Sequence, residues 1–448
     1  MNWMEFTEAI RGKRIICYGA GTNALAMLAN NKFSPFLQQI DFFIDIDVKK
    51  HTTTVNYDKY KFNVYSPTRI DEIKEKQDYV LLITLTDYIS VGKIMTQKNI
   101  LWFPWTIIST DLKFDYLSTL KSPNKSVLFL LGTPDYVNLG DHAIAVAERA
   151  YLKKHFGDFF ELGIHSCPPY VLDELKKHIK QKDIIFMQGG GNIGSLWRVC
   201  DGLFRNILTK FPDNTVILFP QSIYYGSSEE EYAYFKKSQL IFNSHKNLLL
   251  CVRDRRSYDF VRCNFTSKCM LIPDMVLMLN TNYSLKRTGV GVLLRNDKEK
   301  LLPDEYKEVI YNAINYVEEK VIPLTHHPKN LDINEIKADN YITGNILKEY
   351  SACRLIITDR LHGMIFAAIT NTPCIAFDNS YRKVSDLYET WLTGCRHITF
   401  VKEIMDQAEL SALINKKTNE TFPKINNQIF IDKFSQLTEY ILSSLQEE

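Results

Sequence analysis

RLIITDRLHGMIFAAITNTPCIAFDN, residues 354–379, is the stretch from which the fold can be read. An apolar run short enough for a buried strand ends at Thr358, a polar turn carries Asp359 and Arg360, and an apolar helix-length segment follows. A second apolar run then begins at Pro373. Strand, helix, strand in this order is one turn of a parallel sheet with a helical crossover.

The same unit recurs on both sides. GVGVLLRND (289–297) and KVIPLTHHP (320–328) precede it in one series. An earlier series contains VLFLLG (127–132), DIIFMQGGG (183–191), TVILFPQS (215–222), LLLCVRD (248–254) and MLIPD (270–274). Helix-length segments such as HAIAVAERAYLKKHF (142–156) separate these runs. A third, smaller group stands at the front: KRIICYGAGTNALAML (13–28), FFIDID (42–47) and DYVLLITL (78–85), with the polar KSPNKS (121–126) as a boundary. The predicted class is α/β, with two doubly wound Rossmann-like domains facing a cleft and a small N-terminal α/β domain. The expected boundaries are 1–120, 121–285, 286–424 and a C-terminal helix over 425–448.

Composition narrows the function. Lys and Arg total 54 against 52 Asp and Glu, so no general field of one sign exists to hold nucleic acid or an anionic membrane. Any anion site must be local. The nine cysteines show no CxxC pair and no zinc-like spacing, which predicts reduced core thiols and no metal site. The opening MNWMEFTEAIRGKR carries acids and lacks the apolar core of a secretory signal, and no run has the length of a membrane span. The expectation is a cytoplasmic chain that touches a membrane at most peripherally.

Open parallel sheets present their working residues just after the carboxyl ends of the strands. NLGDHAIA (138–145) opens a helix there, with Asn138 and Asp141 flanking Gly140; Asp141 is either a ligand-facing group or the helix cap. QGGGNIGSLW (188–197) places Gly189, Gly190 and Gly191 before Asn192, leaving room for a phosphate or sugar against bare backbone. FPQSIYYG (219–226) offers Gln221 and Ser222 as hydrogen-bonding groups. VRDRRSYDF (252–260) sets Arg253 directly after an apolar strand, although Arg255 and Arg256 stand close enough to compete for an anion role. Within TDRLHG, Arg360 and His362 emerge together at a helix start, one a planar fork for phosphate or carboxylate, the other able to exchange a proton near neutral pH. Arg295, also expected after a strand, completes a site for a small, highly charged acid. The histidines of LTHHP rank below His362, and are expected to line the cleft as turn residues before a proline.

The ordered set NLGD, GGGN, FPQS, VRDRRS and TDRLHG resembles the polysaccharide pyruvyl transferase family over about residues 127–400. That resemblance implies a fold similar to B-type glycosyltransferases, phosphoenolpyruvate as donor, and two hydroxyls of one sugar as acceptor, probed best as a lipid-linked oligosaccharide. It implies that Arg360, Leu361, His362 and Arg253 belong to the donor site, with His362 as the acid. Asp141 is a candidate base for the acceptor hydroxyl. No cofactor beyond the co-substrate is implied. The first 115 residues depart from the family: GAGTNA (19–24) matches only GxGxxA, with Asp45 or Asp47 where a ribose-binding acid would fall, and no dinucleotide is assigned to it. Two competing expectations are a nucleotide-sugar glycosyltransferase using the same cleft, and a non-catalytic sugar- or nucleotide-binding protein with His362 as a core histidine.

Overall fold

Among the described residues, eighteen strands, most of them apolar and buried, arrange into three sheets. The structure is a computed structural model and describes residues 2–85, 87–121, 125–279, 283, 285–328 and 341–446. Residues 122–124 of the expected KSPNKS boundary lie outside that set. The chain forms two units, one ending at Lys121 and one following it.

The first unit contains β1 (Arg14–Tyr18), β2 (Ile40–Ile44), β3 (Thr54–Tyr57), β4 (Tyr60–Tyr65), β5 (Tyr79–Ile83) and β6 (Leu101–Pro104). They line up as β3-β4-β2-β1-β5-β6, parallel except for the β3–β4 hairpin. Gly19, at φ +109°, makes the turn after β1 in a region that disfavours side chains.

The second unit holds two sheets. One comprises β7 (Leu128–Thr133), β8 (Phe160–Gly163), β9 (Ile184–Met187), β10 (Gly190–Gly194), β11 (Thr215–Tyr224), β12 (Leu248–Val252) and β13 (Lys268–Leu271). Its order is β13-β12-β11-β9-β7-β8, with β10 laid parallel against β11. The other comprises β14 (Val290–Leu293), β15 (Val321–Pro323), β16 (Leu355–Thr358), β17 (Cys374–Ala376) and β18 (Ile398–Phe400), in the order β15-β14-β16-β17-β18. In both sheets the first strand has its second on one side and its third on the other. The connections therefore reverse direction between β7 and β9 and between β14 and β16, opening a crevice at the carboxyl ends of those strands. The expected fold class, α/β with two doubly wound sheets and a small N-terminal unit, is what the structure shows.

The last helix, Gln428–Gln446, follows the second sheet in sequence but packs against elements of the first. Thr438 shares a 2.8 Å hydrogen bond with Tyr151, the ring of Phe434 lies 6.4 Å from that tyrosine, and Lys268 of β13 sits over Tyr440. Seven of the nine cysteines are buried, Cys263 is exposed, and all are free. Among the described residues no helix is long and apolar enough to cross a membrane.

Candidate active site

At the switch point of the second sheet, Thr358 ends β16. Its hydroxyl donates to the carbonyl of Leu293 at the end of β14 (2.8 Å) and accepts the N–H of Arg360 (3.0 Å). Beside it, the Asp359 carboxylate accepts the Arg295 N–H at 2.8 Å. These bonds stitch the two strand ends together and aim Arg295 and Arg360 at one opening. The helix Leu361–Ile369 starts there without a side-chain cap.

Arg295 is already engaged, with Asp297 at 2.9 Å and Glu299 at 2.9 Å. Arg360 is less so: its nearest carboxylate oxygen, on Asp297, is 3.5 Å away, and its buried Nε has no partner. Burial and the repulsion of Arg295 both push the Arg360 guanidinium below its ordinary pKa. An anion entering the cleft would relieve both costs.

The first sheet supplies the facing wall. Arg253, only 2% exposed, follows β12 and pairs with the buried Asp274 at 2.6 Å while donating through Nε to Ser222 at 2.9 Å. Of the three arginines in VRDRRS only Arg253 lines the cleft; Arg256 instead pairs with Asp386 at 2.7 Å, and Arg255 lies in a separate groove. The cap of the helix Leu139–His155 is Asn138, whose side chain accepts the N–H groups of Gly140 and Asp141. Asp141 is thus freed from capping. It lines the cleft, accepts a 2.9 Å hydrogen bond from Tyr136, and has its pKa raised chiefly by burial.

His362 sits where the two walls meet. A Cβ built on Gly140 would overlap the imidazole, so only glycine lets the first turn of the helix Leu139–His155 press against a ring of the second sheet. The His362 Nε2 lies 3.7 Å from Asp274. Burial drives its pKa down to about 4; Asp274 opposes this, while Arg253, Lys383 and Arg295 reinforce it.

The cleft encloses about 350 Å³. It brings together Arg253, Arg295, Arg360, Leu361, His362, Asn138, Asp141, Gly191 and Asn192 among the residues the sequence singled out. Others lie behind it. Gln221 is wholly buried inside β11, donating to the Gln188 carbonyl at 2.5 Å and accepting the Asn192 N–H at 3.1 Å, so it braces the glycine segment and does not reach the opening. Ser222 is spent on Arg253 and Asp254. Gly189 and Gly190 also stand back from the cleft: the Gly189 N–H donates to the buried Glu148 at 2.7 Å, and Gly190 pairs with Gln221 in the sheet.

The LTHHP histidines, ranked below His362 but expected as cleft-lining groups, do line it, and Lys383, Glu299 and Trp197 join them without having been singled out. Lys383 reaches Glu299 at 3.0 Å, and a Cβ on Gly191 would come within 3.1 Å of its ammonium, so Gly191 keeps this cation accessible. Burial lowers the Lys383 pKa against the pull of Glu299. His326 comes from the loop after β15, and Trp197, 40% exposed, forms the outer rim beneath Lys298. LTHHP and GSLW did carry signals, a histidine and a tryptophan at strand ends; Glu299 and Lys383 carried none.

The two candidate ribose acids of the N-terminal unit are otherwise engaged: Asp47 accepts the Lys49 N–H at 3.0 Å. Asp45 accepts Ala20 N–H at 2.8 Å, Asp47 N–H at 2.9 Å and the Lys50 ammonium at 2.9 Å.

Two parallel sheets whose switch points converge on buried guanidinium groups and an imidazole define an α/β protein with a cationic cleft. The chain belongs to the polysaccharide pyruvyl transferase family, whose model matches residues 138–381. It is 33% identical to General stress protein 30 of Bacillus subtilis over 302 residues, 65% of this chain and 85% of that one. It is 28% identical to Pyruvyl transferase 1 of Schizosaccharomyces pombe over 331 residues, 68% of this chain and 80% of that one. A solved structure of a functionally uncharacterised protein from Klebsiella pneumoniae aligns over 65% of this chain and 99% of its own, at TM-score 0.42 and 18% identity, too slight a likeness to bear on function.

Proposed function

We propose that this protein transfers the pyruvyl group of phosphoenolpyruvate to two hydroxyls of one sugar in a surface polysaccharide precursor, forming a ketal. The observation that carries this reading is the gathering of Arg253, Arg295, Arg360 and Lys383 around His362 in one cleft, with Trp197 and Asp141 beside them. The cations suit a substrate carrying both phosphate and carboxylate. Trp197 offers an apolar face on which a sugar ring can stack.

In the reaction the methylene carbon gains a proton and becomes a methyl group, while a first hydroxyl oxygen bonds to the central carbon. A second hydroxyl oxygen then bonds to that carbon as its link to phosphate breaks. Of the two hydroxyl protons, one is balanced by the new methyl hydrogen and the other leaves on inorganic phosphate. Nothing is oxidised or reduced, and no cofactor is called for. His362 is the acid toward the methylene carbon, Asp141 the base toward the first hydroxyl, and Arg253 and Arg360 hold the donor. The acceptor we favour is a lipid-linked oligosaccharide at the inner face of the membrane.

Phosphoenolpyruvate is expected to raise the Tm, and a lipid-linked acceptor to elicit phosphate release. A Tm rise with UDP and none with phosphoenolpyruvate points instead to a nucleotide-sugar transferase.

With the cleft empty, a His362 pKa of about 4 leaves the imidazole neutral at pH 7. A phosphate and a carboxylate in the same low-dielectric space favour the imidazolium and raise that value. Between the free and bound pKa values the complex therefore holds more protons than the free protein, so affinity gained at low pH is lost as pH rises through the bound value. Calorimetry in buffers of different ionisation enthalpy should show proton uptake on donor binding that is smaller in His362→Gln. Equal uptake by the two proteins would remove His362 from the acid role.

A further inference from the structure

We propose that His326 is the second proton-transfer group of this site, taking the proton of the second acceptor hydroxyl and delivering it to the departing phosphate. This rests on the pyruvyl-transfer reading above.

His326 is 4% exposed, lines the cleft, and has a buried Nε2 with no hydrogen-bond partner. Unpaired buried polar atoms are costly and uncommon, and a substrate-binding site is one of the places where they persist. Its backbone is fixed: the His326 carbonyl accepts the Leu139 N–H at 3.1 Å, and the neighbouring His327 ring meets the Val137 carbonyl at 2.7 Å. Both bonds run from the loop after β15 to the start of the helix that carries Asp141. The imidazole packs 5.7 Å from the Phe366 ring and 6.5 Å, centroid to centroid, from His362. Two imidazoles therefore stand side by side in a space sized for a small donor.

The charged and titratable groups facing His326 are Arg360, His362, His327 and Arg295. Burial comes first among the causes that hold its pKa well below the ordinary value, and each of these neighbours adds to it. Such a ring is a free base in the empty site. A free base is what the second half-reaction requires.

In that step the bond from the central carbon to the phosphate oxygen breaks, and its electron pair leaves with phosphate. The second hydroxyl oxygen bonds to the carbon, and its proton passes to the unpartnered imidazole nitrogen. The same proton then moves to phosphate, which departs singly protonated, and His326 returns to its neutral form. The first half-reaction, with His362 as acid, is complete before this begins, so losing His326 stops the sequence at a sugar adduct that still bears phosphate.

The test compares wild type, His326→Gln and His326→Asn with phosphoenolpyruvate and octyl glycosides of galactose, glucose and N-acetylmannosamine, alongside lipid-linked oligosaccharides. Rapid quench and phosphorus NMR follow single turnovers. Both variants are expected to keep the donor-induced Tm shift, to lose about 10²–10⁴-fold in kcat with little change in KM for the donor, and to accumulate the phosphorylated adduct. A kcat within threefold of wild type sinks the proposal. So does loss of donor binding in both variants without any adduct, which assigns His326 a structural role. Wild type that releases no phosphate with any acceptor defeats the transfer reading and this proposal with it, whereas active wild type beside fully active variants defeats the proposal alone.

Discussion

Arg360→Met is expected to lower kcat/KM for phosphoenolpyruvate by about 10²–10³-fold, the usual effect of removing one preorganised charge-stabilising donor, while leaving the Tm of the free protein unchanged or raised. The two effects differ because, with the cleft empty, burial and Arg295 outweigh the attraction of Asp297, Asp359 and Glu299 for this cation. Its Nε is unpartnered, Asp297 is 3.5 Å away, and Arg295 repels it. Methionine fills similar space without that desolvation cost, so the side chain given up for stability is the one that holds the donor. Thermal melting with and without phosphoenolpyruvate checks both halves. A variant that melts lower yet still shifts fully with the donor would show that Arg360 supports the fold and not the ligand.

Arg253→Met should behave in the opposite way. Removing this guanidinium leaves Asp274, 1% exposed, without its paired cation, holding only the Val276 N–H at 3.0 Å and the distant His362 nitrogen. Breaking one partner out of a buried ion pair costs about 3–5 kcal/mol. In a unit of this size that corresponds to a fall in Tm of roughly 4–8 °C. Adding Asp274→Asn removes the stranded charge, and the double variant should recover a good part of the loss, the signature of a coupled pair. If Arg253→Met melts within a degree of wild type, the pair contributes nothing to the fold.

The contrast between these two arginines was hidden in the sequence, where both follow an apolar strand and both promise an anion site. The strands themselves were legible because parallel strands buried on both faces must be continuous apolar runs, as LLLCV and LIIT are. The helix start in TDRLHG was legible for the same reason: the apolar run changes length just where Arg360 and His362 emerge. What could not be read was pairing across the chain. Asp274 belongs to Arg253, and Glu299 to Lys383, only because the sheet order brings distant loops to one opening.

Gln221 and Ser222 illustrate a different failure. The run TVILFPQS reads as ending at Ser222, yet β11 runs on to Tyr224, and its pairing with β12 shifts register between Leu218 and Gln221, around Pro220. The irregularity accommodates a residue that cannot donate to the ladder. The two polar residues therefore stay inside the sheet, where they brace the glycine segment and Arg253. His326 was ranked low as a turn residue before a proline, and its arrival in the cleft depends on the loop after β15 docking at Val137 and Leu139.

The helix Gln428–Gln446 also decides when the protein can finish folding. Phe434, Leu437 and Ile441 are buried, and Phe434 and Thr438 lie against Tyr151, a residue made almost 300 positions earlier. During vectorial synthesis the sheet from β7 to β13 emerges before this helix and must wait, one apolar flank uncovered, until residues 428–446 leave the ribosome. Nascent chains halted before residue 428 should thus depend on chaperones.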